Sequence, residues 1–361
     1  MSERRQLRRR DVLATGAVLG GTFLAGCVGG DGGDDGGSTT PTATTTATAT
    51  ETASPTATAT PSAYPGEWTT RTTDAGQAYR LYVPASHDGG DLPLVVALHG
   101  CDQGPDDFAA LTGLNDKAED ATFAVAYPKQ QQSRNYALCW NWFATDHTTR
   151  GNGEAAAIAG VVDHVGGAVP VAADAVTLVG FSAGAAMVPN LLAAYPDVFA
   201  AGAVHSGLEY QAATNAGEGQ TVMKKGGPDP IEQGTAAYEA MGDRAEVVPT
   251  VVLHGTADGT VAPVNGEQAA HQAVQTNDLA ADGEDDDGVD FEPETTTDVS
   301  AAGTSATRRT YESPAGDPVV EYVTVDGVGH GWVGGTAGVK YAVPDAPSAT
   351  DLLWDFFERA L

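Results

Sequence analysis

Lysine is nearly absent. Five occur in 361 residues, and Lys and Arg together number 18 against 48 Asp and Glu, a formal net charge of −30. A surface this acidic repels phosphate backbones and anionic headgroups, so neither nucleic acid nor a charged membrane surface is expected as a partner. Cysteine is scarce too, at three. No Cys-x-x-Cys pair occurs, which removes the usual sequence basis for a zinc site. Long apolar runs are also missing: the best candidate, residues 12–25, is short and rich in Gly and Ala, too little for a membrane-spanning helix. No internal repeat is found.

The first 26 residues have the layout of an export signal, with five Arg, a short apolar centre and small residues before Cys27. Arg9-Arg10-Asp11-Val12-Leu13 resembles a twin-arginine signal, and Leu24-Ala25-Gly26-Cys27 resembles a lipobox, whose Cys becomes the lipidated first residue. The segment holds five Arg against Glu3 and Asp11, so its removal takes the net charge from −30 to −33. An acidic, Lys-poor surface resembles that of proteins from salt-loving microbes, where dense screening quiets self-repulsion. Residues 27–63 are Gly/Asp-rich, then Thr/Ala/Pro-rich, with almost nothing to bury. They are expected to stay disordered and act as a stalk, reaching on the order of 100 Å when extended. The expected product is a monomer on the outer cell surface, touching the membrane only through its lipid. With Cys27 assigned to the lipid, Cys101 and Cys139 remain as one pair in an oxidising compartment, and a disulfide is expected between them.

From residue 64 to 361 the texture changes. Apolar runs of strand length recur at 80–84, 94–98, 123–127, 175–180, 201–205, 250–254 and 319–325. Most are continuous rather than alternating and rich in β-branched residues, which suits strands buried on both faces. Helical patterns fall between them, at 105–120, 153–168, 183–197 and 265–278, and a last one follows the Ser348-x-x-Asp351 cap signal. The alternation predicts one α/β domain, a mainly parallel central sheet with helices on both faces. Residues 208–249 hold no strand pattern and are expected as a small cap over the sheet's end. Residues 280–306 are acidic and read as a surface loop; four calcium-loop offsets occur there, but Gly283 stands at the essential first ligand position.

The stretch 175-AVTLVGFSAGAA-186 places Ser182 between a strand and a helix, with Gly at both ±2 positions. Chance alone would produce about 0.2 such serines in a chain this rich in Gly, so the context carries the argument. A tight strand-to-helix turn strains its central residue and tolerates only small neighbours. It also sets the N–H of Ala183 at a helix N-terminus, where it can stabilise an oxyanion. A serine needs a base and the base needs a carboxylate. His330, in the Gly-rich 326-DGVGHGWVGG-335, and Asp258, after the strand 250–254, follow Ser182 in the required order. His271 reads as helix surface, and His99, His205 and His254 as packed histidines at strand ends. The second oxyanion donor is expected to be the N–H of Cys101, after Gly100. Trp140, Trp142 and Trp332 are candidates to stack on an aromatic or sugar-like substrate. The alternative for each is packing against the sheet.

Seven segments then carry a resemblance: LPLVVALHGC, NYALCWNWF, RGNGEAAAIAGVV, GFSAGAA, YPDVFAAGAVHSG, LHGTADGTVAPVNG and VDGVGHGWVGG. In this order the chain resembles the polyhydroxybutyrate depolymerase-type esterase family, which is similar to feruloyl and acetylxylan esterases within the α/β-hydrolase fold. The resemblance implies a Ser182–Asp258–His330 triad, a Cys101–Cys139 disulfide, and neither metal nor organic cofactor. It implies an ester substrate, either a hydroxyalkanoate polyester or feruloyl or acetyl esters on polysaccharide. A serine peptidase on the same fold, or an inactive surface-binding protein, are the rival readings.

Overall fold

The computed structural model describes residues 65–286 and 288–361. The export signal, Cys27, the stalk and the calcium-loop offset at Asp287 lie outside the described residues. The strands are β1 (Glu67–Thr72), β2 (Ala78–Val83), β3 (Leu92–Leu98), β4 (Ala124–Pro128), β5 (Val171–Phe181), β6 (Ala201–His205), β7 (Thr250–Gly255), β8 (Thr295–Asp298), β9 (Ala306–Glu312), β10 (Pro318–Val325), β11 (Trp332–Val333) and β12 (Ala342–Val343). The helices used below are α1 (Pro105–Thr112), α2 (Leu114–Ala121), α3 (Thr145–Thr148), α4 (Gly153–Gly166), α5 (Ala183–Ala194), α6 (Ala216–Lys225), α7 (Pro230–Met241), α8 (Val264–Asp282) and α9 (Ala349–Ala360).

Ten strands form one sheet in the order β1-β2-β4-β3-β5-β6-β7-β10-β9-β8. The centre, from β4 to β10, is parallel throughout. The apolar runs explain this centre, because successive residues enter opposite faces. Leu94, Val96, Leu98 and Leu178 join one buried cluster with α4, α5 and α8. Val95, Ala97 and Val179 join another with α1, α2 and α9. Each fully buried Val, Leu or Phe contributes about 1.5–3 kcal/mol, so both faces are strongly specified. α9 begins as its cap signal predicts, with the Ser348 hydroxyl accepting the Asp351 N–H.

The structure differs from the sequence reading at the edges. The expected 105–120 helix is split at Gly113, whose φ of 66° no continuous helix allows. The 280–306 loop contains β8, which pairs with β9 at one edge of the sheet. β8 is Thr-Thr-Thr-Asp with every residue exposed, and β1 at the opposite edge is nearly as polar. Neither edge strand leaves an apolar pattern. The 208–249 segment divides in two. α7 packs between α5 and α8 in the helical layer. α6 instead spans from Trp142 and Phe143, which flank Gly219, to the loop after β7, where Ala262 N–H donates to the Met223 carbonyl at 2.7 Å.

Candidate active site

β5 runs straight into α5, and Ser182 is the hinge between them. Its φ of 54° and ψ of −118° are strained for any residue with a Cβ. The glycines two positions away make the turn possible. A methyl group on Gly180 would lie 2.5 Å from the Gly184 carbonyl, and one on Gly184 would lie 2.1 Å from the Leu98 carbonyl. The Ser182 N–H is anchored to the His205 carbonyl at 3.0 Å. The strain thus displays the hydroxyl above the carboxyl end of the sheet, where parallel α/β sheets bind their ligands.

Two further loops meet there. Asp258 follows β7 and His330 follows β10, the neighbouring strand. The loops touch because Gly255 lacks a side chain: a Cβ there would stand 2.4 Å from the Val328 carbonyl. Asp258 is 3% exposed. One carboxylate oxygen accepts the N–H groups of Thr260 and Val261 at 2.8 and 2.9 Å, and the other accepts His330 Nδ1 at 2.7 Å. Burial pushes this carboxyl up, but the His330 contact and the two backbone amides outweigh it and hold it below its ordinary value. An ionised Asp258 puts the His330 proton on Nδ1, so Nε2 faces the Ser182 hydroxyl with a lone pair, at 2.9 Å. The imidazole stacks on Phe181, 5.1 Å between centroids, a contact that sequence reasoning missed although Phe181 adjoins the serine.

The two expected oxyanion donors border the same point. Ala183 N–H opens α5, and Gly100 lies so close that a Cβ on it would be 3.3 Å from the Ser182 Cβ. Neither the Ala183 nor the Cys101 N–H donates to another described residue. Cys101 and Cys139 are disulfide-bonded. His99, His205 and His254 are buried and bonded, as packed histidines should be. Their outer contacts are to the Gln130 N–H, the Val333 N–H and the Val261 carbonyl. Burial lowers the pKa of all three, that of His99 to about 4. His271 is half-buried on α8, edge-on to Phe291.

The tryptophans require a correction. Trp140 and Trp332 were expected to touch substrate, yet both are 0% exposed. Trp140 donates from its indole to the His99 carbonyl at 3.1 Å, and Trp332 stacks on His205 with centroids 4.7 Å apart. Trp142 is buried against Phe143. Their large apolar rings are used to fill the space under the loops rather than to line the opening.

Comparison with known proteins adds a family. The family described as Esterase PHB depolymerase matches residues 77–295, a stretch that includes Ser182 and Asp258 and ends before His330. Poly(3-hydroxyalkanoate) depolymerase C of Paucimonas lemoignei is 35% identical over 243 residues, 67% of this chain and 55% of that protein. Feruloyl esterase B of Thermothelomyces thermophilus is 30% identical over 207 residues, 53% of this chain and 67% of that one. This chain thus spans little more than half of the depolymerase. Among solved structures, the acetyl xylan esterase from Aspergillus awamori superposes with a TM-score of 0.64 at 22% identity, covering 81% of this chain and 99% of that one, and so shares the fold.

Proposed function

Because the chain belongs to the Esterase PHB depolymerase family, we propose that it is a serine carboxylesterase working through an acyl-enzyme on Ser182. One observation carries this reading. A strained serine, a histidine and a buried carboxylate, each from a different strand end, are linked by contacts of 2.9 and 2.7 Å. His330 Nε2 takes the Ser182 proton as the oxygen attacks the ester carbonyl, and Asp258 stabilises the imidazolium that results. The N–H groups of Ala183 and Cys101 hold the tetrahedral oxyanion. The alcohol leaves with the proton from His330. Water then attacks the acyl group by the same route and frees the acid.

The relatives' names suggest the substrate classes: a hydroxyalkanoate polyester, or a feruloyl ester of the kind found on polysaccharide. A fluorophosphonate probe tests the reaction class. In high salt it should label the wild-type protein and leave Ser182→Ala unlabelled, and an unlabelled wild type overturns the reading. Polyhydroxybutyrate film and methyl ferulate, offered separately, then distinguish the two substrate classes by which acid is released. We also place the domain outside the cell on a lipidated Cys27, on the strength of its leader and the Leu24-Ala25-Gly26 that precede it. Cys27→Ser should release the protein into the medium, and retention on cells refutes the anchor.

A further inference from the structure

The loop that follows β3 passes Ser182 at Gly100, where a Cβ would stand 3.3 Å from the serine Cβ. Two residues further on, from Asp102 to Asp107, it forms one wall of a cleft of about 370 Å³. That volume lies within the range of small-molecule sites, about 300–1,000 Å³. Lys129, directly after β4, and Leu138 line the cleft opposite, and Ala78 to Arg80 of β2 line it as well. The cleft therefore opens at the carboxyl ends of β3 and β4. Gln103 ties it to the reacting serine. This side chain is 3% exposed, lines the cleft, and accepts the Gly100 N–H at 3.0 Å.

The lining restricts what can bind. Asp102, Asp106 and Asp107 present carboxylates, while Lys129 presents an ammonium and Gln103 an amide. Asp102 holds Lys340 at 2.6 Å, Asp106 accepts the Trp68 indole N–H at 3.1 Å, and Asp107 accepts the Gly104 N–H at 2.9 Å. Each of these contacts uses one carboxylate oxygen. The second oxygen of each calls for a donor, and Lys129 calls for an acceptor. A polyester chain has carbonyl acceptors and methyl groups but no donor, so it would leave three carboxylates dehydrated and unpaired. A free carboxylate would suit Lys129 and be repelled by the three Asp. A hydroxyl both donates and accepts. The ligand that fits is one with several hydroxyls.

The cleft is also preformed. Asp102 and Leu138, on facing walls, hold φ of 59° and 56°, in the left-handed region that costs a residue with a Cβ about 1–3 kcal/mol. The Asp102 N–H donates to the Ala137 carbonyl at 2.8 Å, and the Cys101–Cys139 disulfide joins the same two loops. Tyr136, two residues before Leu138, is 90% exposed. A phenol ring standing free beside a polar cleft offers a flat apolar face and a hydroxyl together, the pairing that suits the C–H face and rim of a pyranose.

We infer that this cleft is a sugar-binding subsite: it takes a hydroxyl-rich unit of the carbohydrate that carries the ester, and so directs Ser182 to polysaccharide esters rather than to polyester. The inference rests on the esterase reading for its role. The same acyl group, feruloyl or acetyl, is offered on methanol and on xylotriose. Wild type should show kcat/KM about 10²-fold higher on the xylotriose ester, as for two hydrogen bonds to charged groups. Two exposed positions on the cleft supply variants, Lys129→Ala, which removes the ammonium, and Thr70→Trp, whose indole fills the space. Each should raise KM for the xylotriose ester about 10-fold more than KM for the methyl ester. Equal kcat/KM on the two esters overturns the proposal, as do variants that raise both KM values alike. A wild type that releases acid only from polyhydroxybutyrate film overturns it too, while the esterase reading stands. Saturation-transfer NMR on Ser182→Ala reads binding without turnover. Xylotriose or cellotriose should receive saturation and lose most of it when Thr70→Trp is added, and no transfer to either sugar overturns the proposal. A wild type inert toward every ester, with sugar still bound in this cleft, would sink the proposed function and leave the subsite standing.

Discussion

Exchanging Asp258 for Asn should lower kcat about 10⁴-fold while leaving KM within a few-fold, a loss smaller only than those from removing Ser182 or His330. The size of the loss depends on which way the new amide must face. One Asp258 oxygen already accepts two backbone N–H groups, from Thr260 and Val261. The Asn carbonyl has to take that place, because an NH₂ there would oppose two donors in a buried site. The NH₂ then faces His330 Nδ1 and donates to it. That forces the imidazole proton onto Nε2, which can no longer accept the Ser182 proton. The fold should survive, so stopped-flow acylation kinetics at equal melting temperature provide the check. A fall of less than 10-fold would mean that Asp258 does not orient the base. The sign with pH is also set: Asp258 is held below its ordinary value, so its contribution to stability is complete above pH 3.8 and disappears as the pH falls through its lower native value.

Glu209→Gln should stabilise the protein at alkaline pH. Glu209 is 1% exposed, and neither of its carboxylate oxygens has a hydrogen-bond partner among the described residues. It lies under the turn after α6, where a Cβ on Gly227 would come within 2.3 Å of it. Burial, followed by the nearby charge of Asp229, pushes its pKa from 4.5 to about 8. Between these values the folded chain holds a proton that the unfolded chain releases. Stability that is complete below pH 4.5 is therefore lost as the pH rises toward 8. At 1.36 kcal/mol per unit, with allowance for local relaxation, the loss comes to about 2–4 kcal/mol. Wild type and Glu209→Gln should melt together at pH 5 and differ by about 3–6 °C at pH 9, the variant being higher. Coincident melting at pH 9 would show that water or a rotated side chain solvates the carboxylate. The loosened region would be the one beneath α6, whose Lys224 ammonium donates to the Gly259 carbonyl next to Asp258.

The central sheet was legible because its strands are buried twice over. Runs such as 94–98 and 250–254 have no polar face to disguise them, and each lies in an observed strand. The edge strands were not legible, because β8 and β1 face solvent and use Thr, Glu and Arg that would serve equally well in a loop. Ser182, Asp258 and His330 could be ordered from the sequence since each follows its own strand, and the structure brings the three within hydrogen-bonding reach. Trp140 and Trp332 were misjudged for the opposite reason. Their neighbours in sequence are Cys139, bonded to Cys101, and His330, but an indole reaches several ångströms and its direction depends on partners remote in sequence.

Local sequence thus determined the α/β alternation, the elbow around Ser182 and the order of the three polar groups, because all of these depend on periodicity and on neighbours a few residues apart. Only the tertiary structure decided which way each ring and peptide faces. The lone pair of His330 is assigned by a carboxylate 72 residues away. Hydrogen-bond direction is a property of groups brought together across the sheet, and that information does not exist in a linear pattern.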